Sequence, residues 1–65
     1  MRLTVNGDEV EVQGVSTVEE YLTQLGVHRM IVVEHNGEII RKERYADAEL
    51  REGDRLEIVH MVGGG

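Results

Sequence analysis

Leu3 and Val5 alternate with Arg2 and Thr4, and after Asn6-Gly7 the alternation resumes as Val10 and Val12 against Glu9 and Glu11. Period-two patterning on both sides of a dipeptide typical of tight turns predicts a β-hairpin with one apolar and one wet face. A different period follows the Gln13-Gly14 break. Val18, Tyr21, Leu22 and Leu25 recur at i, i+3, i+4 and i+7, one stripe along a helix. Either Ser16 with Glu19 or Thr17 with Glu20 supplies a capping box at the start, and Gly26 supplies a left-handed stop. The spacing predicts a helix over residues 17–25 that covers the apolar face of the hairpin.

Ile31-Val32-Val33 is an apolar run too short for a helix and reads as a strand inside a sheet. Asn36-Gly37 turns the chain into Glu38-Ile39-Ile40. The polar stretch over residues 41–49 reads as a loop or one helical turn around Tyr45-Ala46, and Glu52-Gly53-Asp54 signals a turn before a final strand over residues 55–62. Two strands, a helix, then three more strands, one of them short, fit an α+β layer arrangement. The expected fold is a β-grasp, a mixed sheet of four to five strands with one main helix across it. Residues 1–62 form the domain and residues 63–65 a flexible glycine tail.

Composition narrows the functional classes. The 65 residues include no cysteine, proline or tryptophan, so neither a disulfide nor a thiolate-bound metal supplements the core, and a ferredoxin-type cluster is excluded. Thirteen acids against seven bases give a formal charge of -6, which repels polyphosphate and anionic lipid. Neither nucleic acid nor a membrane is an expected partner. The opening Met1-Arg2-Leu3-Thr4 enters the strand pattern directly, without a signal-peptide core, so the expected location is the cytoplasm. Arg41-Lys42-Glu43-Arg44 is a small basic cluster in an otherwise acidic chain, a solvated loop or a contact for an acidic surface.

Candidate chemistry concentrates at the end of the sequence. Gly63-Gly64-Gly65 places a side-chain-free carboxylate on a stalk that tolerates almost any backbone conformation, so it can be threaded into a narrow channel. In the strand before it, Leu56 and Ile58 point to one face and Glu57, Val59 and Met61 to the other. Val59 and Met61 make an apolar pair on the nominally wet side, which reads as a patch for a partner that also grips the tail. No catalytic constellation is present. Ser16 is better explained as a helix cap than as a nucleophile, and His28, His35 and His60 are too scattered for a metal site. His60 reads as a structural or partner-contacting residue close to the tail.

Val32-Val33-Glu34, Asn36-Gly37-Glu38-Ile39, the stretch from Gly53 to Val59 and the closing Val62-Gly63-Gly64-Gly65 together resemble the ThiS family, the small ubiquitin-like sulfur carriers of thiamine biosynthesis. The resemblance covers essentially the whole chain. It implies that the Gly65 carboxylate is adenylated by an E1-like enzyme, ThiF, and becomes a thiocarboxylate with sulfur from a sulfurtransferase or cysteine desulfurase. The sulfur then passes to thiazole synthase, ThiG, for the thiazole ring. With the reading of the last strand, this resemblance assigns tail recognition to Gly64, Gly63 and Val62 and the partner interface to Glu57, Val59, His60 and Met61. On this reading the chain is not itself an enzyme and binds no cofactor; ATP is used by the activating partner. The family often has a proline where this chain has Arg41.

Two other readings remain open on sequence grounds. A carrier of the related MoaD type, serving molybdopterin synthase, or one serving another thiolation pathway, shares the fold and the terminal glycines. Prolines usually precede the glycines in the molybdopterin carrier, and here there are none. The other alternative is a noncovalent ubiquitin-like interaction module whose glycine tail is incidental.

Overall fold

The first hairpin forms as patterned. In the computed structural model, which describes residues 1–27 and 29–61, β1 (Arg2–Val5) pairs antiparallel with β2 (Asp8–Glu11), with Leu3 opposite Val10. Asn6 and Gly7 both take positive φ, 51° and 86°, as a type I′ turn requires, and Asn36 and Gly37 repeat this at 50° and 87°. That second turn joins β3 (Ile31–His35) to β4 (Glu38–Ile40). The last strand, β5 (Arg55–His60), enters the middle of the sheet, parallel to β1 on one side and antiparallel to β3 on the other. The sheet order is β2-β1-β5-β3-β4, mixed and five-stranded.

The helix α1 (Val18–Leu25) begins after Thr17, whose hydroxyl accepts from Glu20 N–H at 3.2 Å. The capping box takes a displaced form, because the Glu20 carboxylate reaches past the cap to Ser16 N–H and Ser16 Oγ, at 2.6 and 2.9 Å. Those bonds hold the Glu20 carboxyl below its ordinary value, the Ser16 backbone N–H contributing most. Gly26 ends the helix at φ 78°, with Gly26 N–H on Thr23 O and Val27 N–H on Leu22 O, the two bonds of a Schellman motif.

Three expectations need correction. Leu25 is not sealed with the rest of its stripe: Val18, Tyr21 and Leu22 are buried, but Leu25 is 48% exposed. β1 stops at Val5, so the last helical turn overhangs an open groove instead of a strand. The final strand stops at His60 instead of reaching residue 62, because its neighbour β3 starts at Ile31 and Met30 before it is left-handed, φ 59°. The helical turn in residues 41–49 falls at Lys42–Arg44, a 3-10 turn one step before Tyr45.

The stretch after that turn is structural. Tyr45 and Leu50 are both buried. Tyr45 O and Ala48 O accept from Glu19 N–H and Val18 N–H, at 3.0 and 2.9 Å, and Leu50 N–H donates to Ser16 O. Donors at the start of α1 that have no partner within the helix thereby gain one. The core is completed by Leu3, Val18, Leu22, Val33 and Leu56, each 2% exposed or less. Burying such a side chain is worth roughly 1.5–3 kcal/mol.

Candidate functional site

The sheet has an inner face under α1 and an outer face on which no helix or strand packs among the described residues. Leu56 and Ile58 of β5 are buried on the inner face, while Glu57 and Val59 point outward, as the alternation along the strand predicts. Val59 is 56% exposed and Met61 48%. The structure adds neighbours that the linear pattern did not connect. Val32 lies directly across from Val59, Ile39 of β4 stands across from Glu34 on the same face and is 69% exposed, and Met30, 53% exposed, accepts Met61 N–H at 2.7 Å. Val32, Ile39 and Val59 thus share an apolar surface across β3, β4 and β5, with exposed Met30 and Met61 just beyond the end of the β3–β5 ladder. Large exposed apolar side chains gathered on one face mark interaction sites on small proteins.

Acids border this surface. Glu34 and Glu57 stand opposite each other in the β3–β5 ladder, an arrangement that disfavours the free sheet. Among the described residues neither has an ion-pair partner.

Below the acids, a polar latch fixes the start of β5. His35 Nε2 donates to Asp54 Oδ2 at 2.8 Å, Asn36 Nδ2 donates to Asp54 Oδ1 at 3.1 Å, and Arg51 N–H donates to Asp54 Oδ2 at 2.9 Å. Burial pushes the Asp54 carboxyl up, but the donors from His35, Asn36 and Arg51 outweigh it and hold it below its ordinary value. The latch binds the β3–β4 turn to the turn before β5 and so fixes where β5 enters the sheet. His35 is thereby a structural residue, and no group of three or more metal-ligating side chains occurs among the described residues.

His60 is exposed and borders the groove beside the end of α1. Val62, Gly63, Gly64 and Gly65 lie outside the described residues, as does His28. No helix among the described residues is long and apolar enough to cross a membrane.

The ThiS family profile matches residues 3–65. The sulfur carrier protein ThiS of Bacillus subtilis (strain 168) is 42% identical over 65 residues, covering 97% of this chain and 98% of that protein. A thiazole synthase of Paramagnetospirillum magneticum is 46% identical over 66 residues, which is all of this chain but only 20% of that protein. The chain therefore spans about a fifth of the length of this relative. A crystal structure of ThiS from Geobacter metallireducens superposes with a TM-score of 0.84 at 36% identity, with complete coverage of both chains.

Proposed function

The chain belongs to the ThiS family and has its ubiquitin-like β-grasp fold, and on that premise we propose that it carries sulfur for the thiazole ring of thiamine on the carboxylate of Gly65. A carboxylate is a poor acyl donor. Attack of its oxygen on the α-phosphorus of ATP, in the active site of an E1-like enzyme, expels pyrophosphate and leaves an acyl adenylate with AMP as a good leaving group. A persulfide from a sulfurtransferase or cysteine desulfurase displaces AMP to give an acyl disulfide, and a second thiol then cleaves the S–S bond, leaving the thiocarboxylate and a new disulfide on the donor side. The carrier supplies no acid, base or metal to these steps. Its part is to present the tail and to be held.

The observation that carries this reading is the near-complete match to a sulfur carrier protein named ThiS, alignable over 98% of that protein's length. The partner reading rests on a second one: a stretch 46% identical to this chain lies within a thiazole synthase, so carrier-like and synthase segments share one polypeptide there. The outer face supports docking, because an apolar surface that includes Val59 and Met61 lies on the strand leading to Val62 and the three glycines, which we assign to tail recognition. The test is growth without thiamine of a strain that lacks its own thiazole sulfur carrier. Rescue is expected. Rescue of molybdenum-cofactor synthesis alone would reassign the chain to molybdopterin synthase, and a folded protein that rescues neither would contradict the carrier reading.

A further inference from the structure

The two edges of β5 are not equally occupied. Its odd-numbered residues turn their backbone groups to β3, from Arg55 O, which accepts Asn36 N–H at 2.9 Å, to Met61 N–H on Met30 O. The even-numbered ones turn to β1: Asp54 O accepts Thr4 N–H and Leu56 O accepts Asn6 N–H, both at 2.9 Å. β1 is then exhausted, and a side chain takes over. Ile58 N–H donates to Asn6 Oδ1 at 2.7 Å, and Ile58 O accepts from Asn6 Nδ2 at 3.1 Å. Two residues later the same alternation turns the N–H and C=O of His60 away from β3, beyond the hairpin turn, and no residue of β1 pairs with them. Beneath them runs the groove walled by Val5, Val10, Tyr21, Leu25 and Val27.

We propose that this edge and groove receive an extended segment of thiazole synthase, paired with His60 as an added strand and setting one apolar side chain against Leu25 and Val27. The proposal rests on the carrier reading above. Gly65 is the fourth residue after Met61, and fully extended those four residues reach about 14 Å at most. The centre that takes sulfur from Gly65 must come that close to Met61, so the acceptor's surface covers the end of the sheet where both features lie. An unpaired N–H and C=O on one strand edge is a template for β-pairing, and a pocket under that edge accommodates the inward side chain of an added strand. Asp8 at the rim favours a segment that carries Lys or Arg.

Amide exchange read by NMR on labelled carrier, free and bound to unlabelled thiazole synthase, tests the pairing. The His60 amide is expected to exchange fast in the free protein, unlike those of Val59 and Met61, and to slow tenfold or more in the complex. Unchanged His60 exchange in a formed complex would overturn the proposal. So would equal protection in carrier alone at the same concentration, which would assign the edge to a second copy of this chain. Three variants give an independent readout. His60→Pro removes the N–H that faces away from β3 together with the imidazole at the groove, whereas His60→Ala removes the imidazole alone and is expected to bind more tightly than His60→Pro. Leu25→Glu charges the groove wall. His60→Pro and Leu25→Glu are each expected to keep the circular dichroism spectrum of the fold and to bind thiazole synthase at least tenfold more weakly; binding equal to wild type in Leu25→Glu would overturn the groove assignment even if His60→Pro misfolds. Failure of the wild-type carrier to bind or to become thiocarboxylated would instead count against the carrier reading itself.

Discussion

Asn6 sits at φ 51° in the hairpin turn while its side-chain amide satisfies both backbone groups of Ile58. The turn was legible from Asn6-Gly7; the amide's second role was not, because its partner lies 52 residues away. Asn6→Gly keeps the turn but strips those bonds, and leaving partly buried backbone groups unmet costs roughly 1–3 kcal/mol. Asn6→Ala should lose about 1 kcal/mol more, since a Cβ is unfavourable in the left-handed region. Urea denaturation of both variants checks the order, and midpoints equal to wild type would refute it. Asp54 gives a pH prediction. Its folded-state pKa is depressed, so its stabilisation is fully present above the ordinary carboxylate value near 3.9 and is lost as pH falls through the lower folded value. Thermal midpoints of Asp54→Asn should therefore lie below wild type at neutral pH and approach it in acid. A constant gap down to the lowest pH would contradict the assignment.

Elements defined by local chemistry are legible in the sequence. Both Asn-Gly turns, the helix with its Thr17 cap and Gly26 stop, and the alternating faces of β5 follow from residues within a few positions of one another. Elements defined by distant partners are not. Tyr45 and Leu50 sit in a polar stretch with no periodic signal, and their burial comes from the carbonyls of Tyr45 and Ala48 meeting the start of α1. The open end of the Leu25 stripe likewise reflects where β1 stops, which no helical pattern reports. The helix ends are directly testable. Thr17→Ala should cost about 1 kcal/mol through the lost cap. Gly26→Ala should cost about 1–2 kcal/mol through the backbone alone, because an added Cβ there meets nothing within 4 Å. Calorimetric unfolding of each variant measures these losses, and a neutral Gly26→Ala would contradict the left-handed stop.

At the scale of the molecule, an acidic domain of net charge -6 carries a bare apolar outer face on the strand that leads to three glycines. Val59 and Met61 were legible as a pair because they stand two residues apart in the final apolar run. Met30, Val32 and Ile39 join them only through the pairing of β3 with β4 and β5. Val59→Asp and Met61→Asp should leave the unfolding midpoint nearly unchanged and weaken binding to the activating enzyme and to thiazole synthase by on the order of 2 kcal/mol or more, the loss typical of a central interface residue. Calorimetric titration reads that loss, and an unfolded Val59→Asp would place the residue in the core instead. The central claim is that Gly65 is the reacting residue, and intact-mass analysis after incubation with ATP, an E1-like activating enzyme and a sulfur source tests it most directly. The expected result is a gain equal to replacement of one oxygen by sulfur, located at Gly65 by fragmentation and absent from a variant with one residue added after Gly65. An unmodified wild-type protein, in a mixture that thiocarboxylates another ThiS-family carrier, or equal modification of the extended variant, would contradict it.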